Sequence, residues 1–108
     1  MEFVKEFATF LHQKGIIKFG DFTLASGKKS SYYVDLRLVP SYPHQFRTMI
    51  KYLQNNIAES VGLNSFDSLV SVPTGGLVIA SALAIETVKP LIYVRSKPKD
   101  YGTSKSVE

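Results

Sequence analysis

Residues 68–94 read SLVSVPTGGLVIASALAIETVKPLIYV, and the order of residue types in that stretch decides the fold. Ser68–Val72 is short and largely apolar, as a buried strand is. Pro73-Thr-Gly-Gly76 breaks it. Leu77–Val88 is rich in alanine, leucine and isoleucine and long enough for a helix, predicted to be well buried. Pro90–Val94 is a second apolar run of strand length. Strand, glycine turn, helix and strand make a βαβ unit, whose two strands are expected to be parallel and buried.

Before this unit, residues 2–14 read as a helix, with Phe3, Phe7, Phe10 and Leu11 at helical spacing and Gly15 as its stop. Phe19–Leu24 and Ser31–Arg37 read as strands joined by the Gly27 turn, so a hairpin is predicted. The next helix is expected to begin near Ser41, with Ser41 as cap and Pro43 in its first turn. Its apolar stripe is Phe46, Met49, Ile50, Leu53, Ile57 and Val61, and Gly62 ends it. The reading divides the chain into residues 1–40 (helix and hairpin), 41–95 (α/β core) and 96–108 (a polar, basic loop). A two-stranded parallel sheet needs further strands and helices to cover it, so the pattern is expected to be the first part of a larger α/β fold.

The 108 residues carry a net charge of +4 and no cysteine. Disulfides, thiolate metal sites and a cysteine nucleophile are therefore excluded. His12 and His44 lack metal-ligand spacing, so no metal site on the protein is expected, and both are read as surface residues. The basic balance suggests an anionic partner. Lysine and arginine gather at the Gly27–Lys29 turn, around Arg47 and Lys51, and from Arg95 to Lys105, with no block of five like charges. No apolar run has membrane-spanning length, and Glu2, Lys5 and Glu6 do not make a secretory signal, so a cytoplasmic protein is expected.

Three elements can carry chemistry. Val72–Leu77 lies where a strand ends and a helix starts, the edge at which open α/β sheets bind ligands. It reads as a phosphate or pyrophosphate cradle formed by Thr74, Gly75 and Gly76, or as a plain strand-to-helix turn. Arg95-Ser-Lys-Pro-Lys-Asp-Tyr-Gly102 starts where the second strand ends. It reads as a cationic lid or as a solvated loop. The third, Phe22 to Arg37, sets Lys28 and Lys29 beside Tyr32 and Tyr33; aromatic faces with nearby cations suit a flat anionic ring, and the plainer alternative is a hairpin with a lysine-rich tip.

Taken together, GIIKFGDFTLASGKKSSYYVDLR, SVPTGGLVIASALA and YVRSKPKDYGTSKSVE resemble the orotate phosphoribosyltransferases, over essentially the whole chain. The resemblance implies an α/β fold of type I phosphoribosyltransferase kind, its parallel sheet incomplete here, with an N-terminal helix and a hairpin hood. It implies transfer of phosphoribose from phosphoribosyl pyrophosphate to orotate, giving orotidine 5′-monophosphate and pyrophosphate, in pyrimidine (UMP) biosynthesis. Ser26, Gly27, Lys28, Ser30, Tyr32 and Tyr33 would belong to the hood and orotate side. Thr74, Gly75 and Gly76 would bind pyrophosphate together with Arg95, Lys97, Lys99 and Tyr101. Arg95 and Lys99 would be the catalytic pair. Mg2+ would be held mainly through the substrate. A homodimer is implied, with Lys99 delivered into the neighbouring site, and neither membrane nor nucleic acid is an expected partner.

The sequence departs from the family at Ala25, Ser96 and Tyr101, where some members have lysine, lysine and histidine. The family's second signature, a strand ending in two acidic residues before a Thr/Gly-rich loop, has no match, so the 108 residues alone are expected not to turn over. Two competing expectations are a non-catalytic regulator that binds phosphoribosyl pyrophosphate and a transferase acting on a purine. The hood argues against both.

Overall fold

The computed structural model describes residues 2–95. Two compact units divide between Phe46 and Arg47.

The first unit opens with α1, Glu2–Gln13, whose rings stack along one side: Phe3 on Phe7 at 5.2 Å and Phe7 by Phe10 at 5.5 Å. Phe10 and Leu11 are buried, and Phe10 meets Tyr42 edge-on at 5.4 Å. Gly15 ends the helix with φ +70°, while the Ile16 amide reaches back to the Leu11 carbonyl at 2.9 Å. That left-handed step suits glycine, which has no Cβ to clash. It turns the chain into β1, Ile17–Thr23, which pairs antiparallel with β2, Lys29–Val34, from Ile17 opposite Val34 to Thr23 opposite Lys29. The register shifts between Phe19 and Phe22, a bulge that leaves Gly20 and Asp21 out of regular pairing.

Two expected boundaries move here. The second strand was predicted to run to Arg37 but stops at Val34. The Asp35 carboxylate accepts the Arg37 amide at 3.3 Å and bends the chain into a 3-10 turn, Leu36–Ser41. A short acidic side chain that bonds the backbone two residues on competes with the strand ladder. Ser41, expected to cap the following helix, closes that turn instead. Helix α2 is Pro43–Ser60, and its first bond runs from the Phe46 amide to the Tyr42 carbonyl. A residue before proline is disfavoured in the helical region, and Tyr42, with φ −120° and ψ 83°, lies outside it, so the helix starts only at Pro43.

In the second unit, Met49 and Ile50 of α2 are buried, while Val61, placed in the stripe by the sequence, is exposed. Gly62 follows the helix with φ +90°. Strand β3, Leu69–Ser71, runs parallel to β4, Leu91–Tyr93, with α3, Gly75–Thr87, between them in the chain. The βαβ unit is as expected, but its burial is not. Leu83 is the one buried residue of α3, Ile85 is 79% exposed, and Val70 on β3 is 63% exposed. A helix apolar all round can cover only one face with the two strands beside it, and the rest stays open.

Helix α3 ends at Val88, with φ 55° and ψ 47°. A β-branched residue is rare in this region.

Candidate functional site

The hairpin tip is held by backbone bonds. The Leu24 amide donates to the Lys28 carbonyl at 2.8 Å, and the Gly27 amide to the Leu24 carbonyl at 2.9 Å. Gly27 has φ +86°, with nothing within 4 Å of a Cβ added there. Ser26 accepts weakly from the Lys28 amide at 3.4 Å, and both lysines of the tip are exposed. The Ser30 hydroxyl donates to the Tyr32 carbonyl at 2.8 Å and accepts the Tyr32 amide at 3.3 Å, so it shapes the strand in front of the tyrosines.

Tyr32 and Tyr33 are neighbours on β2, and neighbours on a strand point to opposite faces. Tyr32 lies across from Phe19, and the Tyr33 ring packs by Phe22 at 5.8 Å. A concavity of about 330 Å³ opens beside the tip, lined by Asp21, Phe22, Thr23, Lys29 and Ser30. Sequence reasoning passed over Asp21 and Thr23, and the signal for them was Gly20, which marks the bulge.

At the open end of the hairpin, Asp35 holds Arg37 through two bonds, Nε to Oδ1 at 2.7 Å and NH2 to Oδ2 at 3.0 Å. The Asp35 amide donates to the Ile16 carbonyl at 2.9 Å, which continues the ladder by one rung. Hydrogen bonding from the Arg37 side chain draws the Asp35 carboxyl below its ordinary pKa, and Asp35 in turn raises that of Arg37.

In the second unit the glycine loop stands at the carboxyl end of β3. The Pro73–Thr74 peptide is cis. Thr74 precedes α3, and its side chain makes no capping bond. The amides of a helix's first turn have no partner within the helix. Together with the helix dipole, they are positioned to meet an anion. A Cβ at Gly76 would stand 3.3 Å from the Ser71 hydroxyl, so glycine is what lets α3 start this close to β3.

Ser71 and Tyr93 are register partners in the parallel pair, and the Val94 amide donates to the Ser71 carbonyl at 2.9 Å. Arg95 thus leaves β4 next to the strand that feeds the glycine loop. Its guanidinium lies 5.3 Å from the centre of the Tyr93 ring and donates from NH2 to the Tyr93 hydroxyl at 3.3 Å. The structure therefore brings Thr74, Gly75, Gly76 and Arg95 to one sheet edge. Ser26, Gly27, Lys28, Ser30, Tyr32 and Tyr33 sit in the other unit. Lys97, Lys99 and Tyr101, with the rest of the expected 96–108 lid, lie outside the described residues.

Among the described residues no three of His, Cys, Asp and Glu come together as a metal site. No described helix is long and apolar enough to cross a membrane.

No family model matches the sequence. The chain is 58% identical over all of its 108 residues to the orotate phosphoribosyltransferase of Cenarchaeum symbiosum, of which it covers 54%. It is 39% identical, again over its whole length, to that of Pyrococcus horikoshii, of which it covers 57%. The fold matches the crystal structure of orotate phosphoribosyltransferase from Aeropyrum pernix with a TM-score of 0.73 at 35% identity, covering 94% of this chain and 56% of that one. The chain thus spans about half the length of the curated relatives it matches.

Proposed function

We propose that the protein transfers phosphoribose from phosphoribosyl pyrophosphate to orotate, because the chain is similar from end to end to orotate phosphoribosyltransferases and shares the α/β fold of that type I phosphoribosyltransferase group. The products are orotidine 5′-monophosphate and pyrophosphate. The observation that carries the reading is the sheet edge where the glycine loop after β3 and Arg95 after β4 stand on paired parallel strands.

Breaking the bond at the anomeric carbon leaves positive charge on the ribose and negative charge on the departing pyrophosphate. Donors that already point at the leaving group stabilise it without reorganising. In this reading the amides around Thr74, Gly75 and Gly76 and the guanidinium of Arg95 bind pyrophosphate. Lys97, Lys99 and Tyr101 join them from the loop, which closes and excludes the water that would hydrolyse the activated sugar. Ser26, Gly27, Lys28, Ser30, Tyr32 and Tyr33 form the hood over orotate. When bound, Mg2+ would supply charge neutralisation on the pyrophosphate and would be held mainly through the substrate. The protein acts as a homodimer in this reading, with Lys99 serving the neighbouring subunit's site.

The test is turnover by the full protein with orotate, phosphoribosyl pyrophosphate and Mg2+, followed by loss of orotate absorbance and release of pyrophosphate. Orotidine monophosphate should form, and Arg95→Ala and Lys99→Ala should each slow its formation at least about tenfold. Turnover with adenine, guanine or hypoxanthine but not orotate, or binding without turnover, would overturn the assignment.

A further inference from the structure

The βαβ unit has a second layer behind its sheet edge. Ser71 points at the start of α3, as its 3.3 Å approach to a Cβ at Gly76 shows. Tyr93 is the register partner of Ser71, and register partners in a sheet share a face. Arg95 follows Tyr93 by two residues, and the Val94–Ser71 bond keeps the chain extended between them, so Arg95 falls on that face too. By this alternation Arg95 belongs to the α3 side of the sheet.

Tyr93 grips it there in two ways. Its ring lies under the guanidinium at 5.3 Å, and its hydroxyl accepts an N–H at 3.3 Å. Both residues are half-buried. A guanidinium held over an aromatic ring and bonded to the hydroxyl of the same ring keeps less side-chain freedom before any ligand arrives. Such ordering lowers the entropy cost of binding an anion.

We propose that Tyr93 is a positioning residue for Arg95, holding the guanidinium on the glycine-loop side of the sheet edge so that it meets the pyrophosphate group of the substrate already oriented. This inference rests on the proposed function for its ligand, but not for its geometry.

The test compares Tyr93→Phe, which keeps the ring, with Tyr93→Leu, which removes ring and hydroxyl, in the full protein. Steady-state kinetics should show the KM for phosphoribosyl pyrophosphate rising about threefold to tenfold in Tyr93→Phe and further in Tyr93→Leu, with the KM for orotate unchanged. In an Arg95→Ala background, Tyr93→Phe should have no added effect, because a residue that acts through another loses its influence when the other is gone. Calorimetric titration with inorganic pyrophosphate should show the same order of weakening, and it reads the pair even if orotate turns out not to be the acceptor. Equal effects of Tyr93→Phe with and without Arg95 would overturn the proposal. So would pyrophosphate binding that is unchanged in Tyr93→Leu, or no pyrophosphate binding by the parent protein. Loss of orotate turnover in the parent protein, with pyrophosphate binding weakened by Tyr93→Phe, would overturn the proposed function and leave the positioning role standing.

Discussion

The hydroxyl oxygen of Ser71 lies 3.3 Å from where a Cβ at Gly76 would stand. That is tighter than ordinary van der Waals contact, and both residues belong to regular elements, β3 and α3. Gly76→Ala should therefore destabilise the protein by about 1 kcal/mol, the overpacking cost outweighing the better helix propensity of alanine. In a Ser71→Ala background the contact is gone, and the same substitution should stabilise by up to about 1 kcal/mol. A denaturant-unfolding cycle over the four proteins measures the coupling. Equal effects in both backgrounds would show that the contact does not constrain the loop.

Val88 ends α3 in the left-handed region, with φ 55°, and is 86% exposed. An L-residue there costs roughly 1–2 kcal/mol, and glycine avoids most of this for roughly 0.5–1 kcal/mol of extra chain entropy. Val88→Gly is expected to raise stability by about 0.5–1 kcal/mol, since no buried contact is lost. Val88→Ala keeps the Cβ and should change little. Thermal unfolding of the two variants beside the parent separates backbone relief from any effect of removing an exposed apolar side chain.

Asp35 and Arg37 give a pH-dependent contribution with a definite sign. The folded carboxyl of Asp35 lies below its ordinary value because Arg37 bonds the charged form. The stability it adds is fully present above the unfolded pKa of about 3.9 and fades as pH falls toward the folded value. Arg37 stays charged throughout that range. The stability difference between the parent and Asp35→Asn should hold from pH 7 to about pH 5, then close below about pH 4. Because the pair is exposed at Arg37, added salt should shrink the difference at pH 7. A gap that does not depend on pH would mean that Asp35 acts through its backbone turn alone.

These positions also mark how far the sequence could be read. The βαβ unit was legible because its signals are local: a run of strand length, a Pro-Thr-Gly-Gly break and a run of helix length. Gly15 and Gly62 were legible as helix stops for the same reason. The 3-10 turn after Val34 was not, because YVDLR has strand composition and the Asp35 side chain overrides it through one bond to the Arg37 amide. Ser41 looked like a cap, but Pro43 keeps Tyr42 out of the helical region and delays the helix. The exposure of Ile85 was hidden as well, since composition says that a helix is apolar and not which of its faces the neighbouring strands reach. At the sheet edge, the glycine loop and Arg95 could be placed from strand order. The grip of Tyr93 on Arg95 depends on the period of two after β4 and on the register with Ser71, which no local run of residues specifies.

Lys89 closes the far end of α3. Its ammonium donates to the Phe66 carbonyl at 2.9 Å and sits 5.0 Å from the centre of the Phe66 ring, joining segments 23 residues apart. It also follows the last turn of the helix, where a cation is favoured by the unpaired carbonyls. Lys89→Met keeps much of the apolar stem and removes the charge and the donors. It is expected to cost about 1–2 kcal/mol, because the Phe66 carbonyl loses a charged partner in a half-buried place. Lys89→Arg, which can still donate and stack, should recover at least about half of that. The discriminating measurement is amide hydrogen exchange. If Lys89 anchors the loop before β3, Lys89→Met should speed exchange at Leu69, whose amide bonds the Pro90 carbonyl at 2.8 Å, more than at Leu24 in the hairpin. Uniform acceleration at both amides would mean that the substitution lowers global stability without loosening this junction.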